Sequence, residues 1–252
     1  MTNTFGITVL LIALVTIIGA FIKGRSRDRC LVDFNGFPVT IEMRDGKDIW
    51  GNMSVEPTGI ELIYKEDYLD EKDGHIEKSY IFYKNDFPAI GALVRYEDAL
   101  DQTQKKKREK ILKKYYTPSH IHSLGRKAKN IFSTVRDSLM ELSTLLIGRV
   151  RSVTPIGAAL SGQDKYVSQL QQQLVPTGYA FEPILEKHIG RKVILSFNRK
   201  DKKEEYLGIL KEYTTDFVEI IDVSYKKDPA QAPKKADIIA SRQIGIIRHL
   251  GK

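Results

Sequence analysis

The chain has 252 residues, 42% hydrophobic and 29% charged, which is enough for two small folded units beside any apolar anchor. One cysteine, Cys30, excludes an intramolecular disulfide and any zinc site made of several thiolates. The net charge of +8 is segregated: residues 31–100 carry −8, residues 101–175 carry +9 and residues 184–252 carry +5, unlike the even spread of cations usual in a polyanion-binding protein.

Phe5 to Ile22 contains no charged residue. Eighteen residues at about 1.5 Å each reach roughly 27 Å, close to a bilayer core of about 30 Å, and predict a transmembrane helix over 5–22. A cleaved signal peptide would place charge before the run and a small-x-small site after it, whereas this run ends in Ile22-Lys23-Gly24-Arg25. Lys23, Arg25, Arg27 and Arg29 follow the run and nothing basic precedes it. The positive-inside bias then implies a single-pass protein of the cell (inner) membrane, N-terminus outside and the long C-terminal part cytoplasmic. Cys30 fits that reducing compartment, as an ordinary thiol or a lipidated one.

Residues 31–100 read as an acidic small β-barrel. Val39, Ile41 and Met43 alternate with polar residues, Asp45-Gly46 supplies a two-residue turn, and Ile49, Gly51, Met53 and Val55 return. Pro57-Thr58-Gly59 turns into a third strand at Ile60, Leu62 and Tyr64. Glu66 to Glu77 reads as a solvated loop, with further strands at Ser79–Tyr83 and Ala89–Tyr96. Trp50 reads as a packing residue or as part of a patch against a neighbour.

Residues 101–175 read as a basic helical segment. Its first stretch holds Lys105, Lys106, Lys107, Arg108, Lys110, Lys113 and Lys114, and a three-four stripe runs from Leu124 to Val150. Those cations have three readings: contact with nucleic acid, with Tyr115 and Tyr116 for stacking; contact with anionic lipid; or a structural helix whose charge faces the acidic unit. Residues 183–252 are strand-rich again, opening with a short helix at Pro183–His188. Strands follow over Val193–Phe197, Tyr206–Glu212, Phe217–Val223, Ile238–Ile239 and Ile244–Arg248.

The two strand-rich regions look like one repeat. Gly36-x-x-Val39, Gly51 and Ile60-Glu61-Leu62-Ile63 correspond to Gly190-x-x-Val193, Gly208 and Val218-Glu219-Ile220-Ile221. With its opening helix, Gly208-Ile-Leu210 and Ala240-Ser-Arg-Gln-Ile-Gly-Ile-Ile247, the second copy resembles the Sm-like fold, and residues 31–96 resemble it more loosely. The resemblance implies an α+β chain: an N-terminal transmembrane helix and two small Sm-like β-barrels separated by a basic α-helical segment. It also implies self-association by strand pairing, here through Ile238, Ile239, Ile244 and Ile246, either between chains or within one chain. Thr214, Val218 and Ser241-Arg242-Gln243 stand where RNA-binding members carry Asp, Asn and Arg-Gly, so the usual base pocket is not expected.

No phosphate-cradling loop and no catalytic set is visible, and neither a metal nor a cofactor is expected. His120 with His122 and the acidic run Asp67, Asp70, Glu71 and Asp73 read as surface groups rather than metal ligands. The expectation is a non-enzymatic, membrane-anchored scaffold or adaptor within a membrane-associated assembly. Its expected partners are membrane lipid and other subunits or copies of itself. The alternatives are a membrane-tethered nucleic-acid-binding protein and an accessory subunit of a channel or transporter.

Overall fold

The computed structural model describes residues 27–69, 73–116, 182–199, 202–227 and 232–251, all within one compact unit, Ser26–His120 with Glu182–Lys252. Helix α1 (Arg29–Val32) leads into β1 (Pro38–Met43), β2 (Asp48–Glu56), β3 (Gly59–Leu69), β4 (Ile76–Tyr83) and β5 (Ile90–Tyr96). Helix α2 (Gln102–Tyr116) follows. The second half holds α3 (Pro183–His188), β6 (Lys192–Arg199), β7 (Lys202–Tyr213), β8 (Phe217–Tyr225), β9 (Lys234–Ser241) and β10 (Gly245–Leu250).

The repeat is visible in the backbone. Gly36 and Gly190 both have φ of +78°, a left-handed conformation that glycine adopts without steric cost. The Gly36 N–H donates to the Met53 carbonyl and the Gly190 N–H to the Leu210 carbonyl, each at 2.7 Å. Val39 pairs with Gly51, and Val193 pairs with Gly208. Each glycine lies where a third strand crosses close by. The turn at Asp45-Gly46 forms as its residues require, with Gly46 at φ +98°.

The ten strands form a single antiparallel open sheet in the order β10-β6-β7-β8-β9-β5-β1-β2-β3-β4. This corrects the expected fold class of two separate barrels. β5 takes β9 as its outer neighbour, with Ala92 opposite Ala240 and Tyr96 opposite Ala236, so the sheet runs unbroken through both repeats. Period-2 alternation decides which residues face inward but not which strand an edge accepts as its neighbour. Each half carries its own core, and the two interlock. Ile239 and Phe217 of the second repeat enter the core around Phe34, Ile41, Leu62 and Phe82. Ala92 and Val94 of β5 enter the core around Val193, Leu210, Ile220 and Tyr225.

The expected loop over Glu66 to Glu77 is smaller than read, because β3 continues to Leu69 and β4 begins at Ile76. A Cβ on Gly59 would lie 2.1 Å from the Phe82 carbonyl oxygen. Gly59→Ala is therefore expected to force β3 and β4 apart and to cost about 2 kcal/mol. Calorimetric unfolding checks this, and an unchanged midpoint would show that the hairpin yields freely.

The expected helix over residues 5–22, with Lys23 and Arg25, lies outside the described residues, as do most of the basic segment and His120 and His122. Among the described residues no helix is long and apolar enough to cross a membrane. The expectation of a single-pass transmembrane protein of the inner membrane is corrected accordingly. What is described is a large antiparallel sheet with short or polar helices.

Candidate interaction surface

The joint between the repeats is built on buried charge. Arg95, on β5, stands opposite Asp237, on β9, and its Nε and Nη2 donate to Asp237 Oδ2 at 3.1 and 2.8 Å. Arg108 of α2 adds two bonds to the same carboxylate, 2.8 Å from Nε and 2.9 Å from Nη2, while its Nη1 reaches Glu97 at 2.9 Å. The Asp222 N–H supplies a further donor at 3.0 Å, from a residue held at φ +58°. Arg95 also lies over the Phe34 and Phe37 rings. Burial pushes the Asp237 carboxyl up, but the Arg95 and Arg108 guanidiniums outweigh it and hold Asp237 below its ordinary value.

A second buried cluster crosses the same joint. Lys211 Nζ lies 2.9 Å from Glu219 and 2.8 Å from Asp33, which follows α1 in the first repeat. Burial pushes the Glu219 carboxyl up to about 8 against the attraction of Lys211, with the Asp33 charge adding to the rise. The other Glu219 oxygen has no hydrogen-bond partner. Lys211 is shifted upward as well: burial disfavours its charge, and the two carboxylates outweigh that cost. Lys211 therefore stays cationic on Asp33, and Glu219 is the group that takes up a proton. A third link across the joint is the Tyr225 hydroxyl, which donates to the buried Glu42 carboxylate at 2.7 Å.

Helix α2 spans this joint. Gln104 Nε2 donates to the Gly36 carbonyl at 3.1 Å in the first repeat, and the Tyr116 hydroxyl bonds Asp222 in the second. Arg108 was read as one of a row of polyanion contacts; it is buried and serves as the pin of the helix. Lys106, Lys107, Lys110, Lys113 and Lys114 are exposed, and Lys105 is half-buried. Arg27 pairs with Glu56 at 3.1 Å, and Arg29 donates to the Tyr213 carbonyl, so both are tied to the sheet. Cys30 is fully buried against Phe217, and burial raises its thiol well above the ordinary range.

The two ends of the strand order have a different character. Among the described residues β4 has only β3 beside it and β10 has only β6. β4 exposes Ile76, Tyr80, Ile81 and Tyr83, and β10 exposes Ile246 and Leu250. Trp50, read as a packing residue or as part of a patch against a neighbour, is 61% exposed on β2. Of the expected self-association residues, Ile238 and Ile239 are fully buried by pairing with β5 of the same chain. Ile244 is half-buried against the second core, and Ile246 remains exposed. Val218 is a core residue, and Arg242 is engaged with Glu182 and the Thr214 carbonyl.

A cleft of about 310 Å³ between the halves is lined by Glu42, Arg44, Asp48, Glu204 and Lys227, and an Asp48–Lys227 ion pair sits in it. No group of three potential ligands arranged for a metal occurs among the described residues. The sequence reading missed Arg95, Asp237, Lys211 and Glu219. The available signal was a charge inside an otherwise apolar strand, such as Arg95 after Ala92-Leu93-Val94 and Asp237 before Ile238-Ile239. Compared with known proteins, the chain matches no family model, no curated protein and no solved structure.

Proposed function

We propose that the chain is a non-enzymatic scaffold or adaptor that binds polypeptide by adding strands to the outer edges of its sheet. One observation carries this reading: among the described residues, β4 and β10 each end the sheet with one unpaired ladder and exposed apolar side chains. Soluble proteins blunt such edges with charge, proline or a covering element, because a bare edge is a template for another strand. Strand addition supplies main-chain hydrogen bonds for affinity and side-chain contacts for selectivity. The short opening helix and five-strand run of each half also support kinship with the Sm-like fold.

A photo-reactive residue placed at Tyr80, or in a separate variant at Leu250, tests the proposal. The expected product is a polypeptide cross-link formed at these edges and lost when the same residue is placed at Lys65, on the exposed part of β3. Cross-links to nucleic acid from the exposed α2 lysines, with none to polypeptide from the edges, would overturn it.

A further inference from the structure

We propose that residues 27–33 form a proton-operated strap. One proton held in the buried Lys211–Glu219–Asp33 cluster keeps α1 seated on β7 and β8, and its loss lifts α1 away. The inference is independent of the scaffold reading.

The seating of α1 follows from its contacts. The Asp28 carboxylate caps the helix, accepting from the Cys30 and Leu31 N–H groups at 2.9 and 3.2 Å. Arg29 donates to the Tyr213 carbonyl and lies 3.7 Å from Glu212, both on β7. Cys30 and Leu31 are buried in the core that also takes Phe217 of β8 and Ile239 of β9. Glu219 stands two residues after Phe217, on the same face of β8, because side chains alternate along a strand. Register sets Glu212 on one side of it and Ile239 on the other. The strap therefore lies over a buried carboxyl group.

Charge decides what that group does to the strap. With a proton on Glu219, Lys211 and Asp33 balance each other at 2.8 Å. The nearby cations are already engaged: Arg29 lies against Glu212, and Arg95 of β5 commits its three nitrogens to Asp237 and the Asp33 carbonyl. Loss of the proton puts two carboxylates on one ammonium, and the second Glu219 oxygen has no hydrogen-bond partner to offset its charge. The Glu219 and Lys211 side chains are 0% and 3% exposed, whereas that of Asp33 is 36% exposed. Asp33 is thus the member that can move to water, and it directly follows α1. From Asn35 onward the chain is tied again, since the Asn35 side-chain oxygen accepts from the Val55 N–H at 2.8 Å. Burial holds the Glu219 carboxyl up at about 8, and lifting the strap returns it toward its ordinary 4.5. The lifted state binds the proton less tightly, so lifting grows easier as pH rises toward 8 and no easier above it. Asp28 and Cys30, both raised by burial, are the other titrating groups on the strap.

Cys30, the one cysteine of the chain, reports the opening. Its alkylation by iodoacetamide in the full-length chain is followed by mass spectrometry from pH 6 to 9. Wild type is compared with Glu219→Gln, which cannot ionise at this position, so the ratio of rates cancels the titration of the thiol and of Asp28. That ratio should climb by about tenfold or more between pH 6 and 8 and then level off. Low concentrations of urea should leave Cys30 labelling unchanged while speeding amide exchange in β9, because lifting a short strap exposes little surface. If Glu219→Gln does not fold, wild-type amide protection at residues 30–33, corrected for intrinsic rates, should fall by a similar factor over the same range. A rate ratio, or in its place a protection, that does not change with pH overturns the inference. So does labelling that rises with urea as steeply as exchange in β9, since Cys30 would then open only when the whole fold does.

Discussion

Replacing Asp237 with Ala is expected to give the largest loss of stability of any single change at the joint. The substitution leaves the Arg95 and Arg108 guanidiniums buried around an empty place, since both donate to this one carboxylate. Removing one member of a buried ion pair costs about 3–5 kcal/mol, chiefly because the remaining charge is stranded. Against a typical total of about 5–15 kcal/mol, that removes a large share of the fold's margin and should lower the thermal midpoint by roughly 10 °C. Arg108→Ala should cost less, because Arg95 still neutralises Asp237, and should chiefly release α2, seen as faster amide exchange over Gln102–Tyr116. The Asp237 contribution is present above the ordinary aspartate range. It is lost only as pH falls through the depressed folded value, since the native state holds this group ionised. An Asp237→Ala variant that melts with the wild type would show that the joint does not depend on this carboxylate.

The second large effect is a pH dependence set by Glu219. Its folded value of about 8 lies above the ordinary glutamate value of 4.5, so the native chain retains a proton that the unfolded chain releases. Stability from this group is therefore full below the ordinary value and declines as pH rises toward 8. At about 1.4 kcal/mol per unit of difference, the decline across that span is on the order of 5 kcal/mol. Glu219→Gln mimics the protonated form and should flatten that part of the profile, gaining relative stability at pH 8 and little at pH 5. Urea midpoints of both proteins at several pH values give the comparison, and the difference between them cancels every other titrating group. Parallel curves for the two proteins would remove Glu219 as the cause.

These predictions concern residues that strand alternation passes over. Val39, Ile41, Met53, Ile60, Leu62, Val193, Leu195 and Ile220 announce themselves by period, and all are core residues. Asp45-Gly46 and the opening Pro183 likewise announce a turn and a helix start, because φ and the missing N–H of those residues are local properties. Arg95 and Asp237 are 142 positions apart, and no local property of either strand records that they face each other. The row of lysines around Arg108 makes it look like one more solvated cation. Only the position of α2 over the joint turns it inward, onto Asp237.

The sequence by itself determined the strands, the hairpin turns, the repeat and the apolar part of the inward-facing set, since each follows from residue type and spacing over a few positions. The tertiary structure alone decided that the two repeats share one sheet, and that Ile238 and Ile239 are consumed in it. It also decided that β4 and β10 stand at the ends of the strand order among the described residues. Edge pairing is a choice among chemically similar ladders of N–H and C=O groups. That choice is made by the long-range fit of Arg95 to Asp237, Lys211 to Asp33 and Tyr225 to Glu42, not by anything written within a strand.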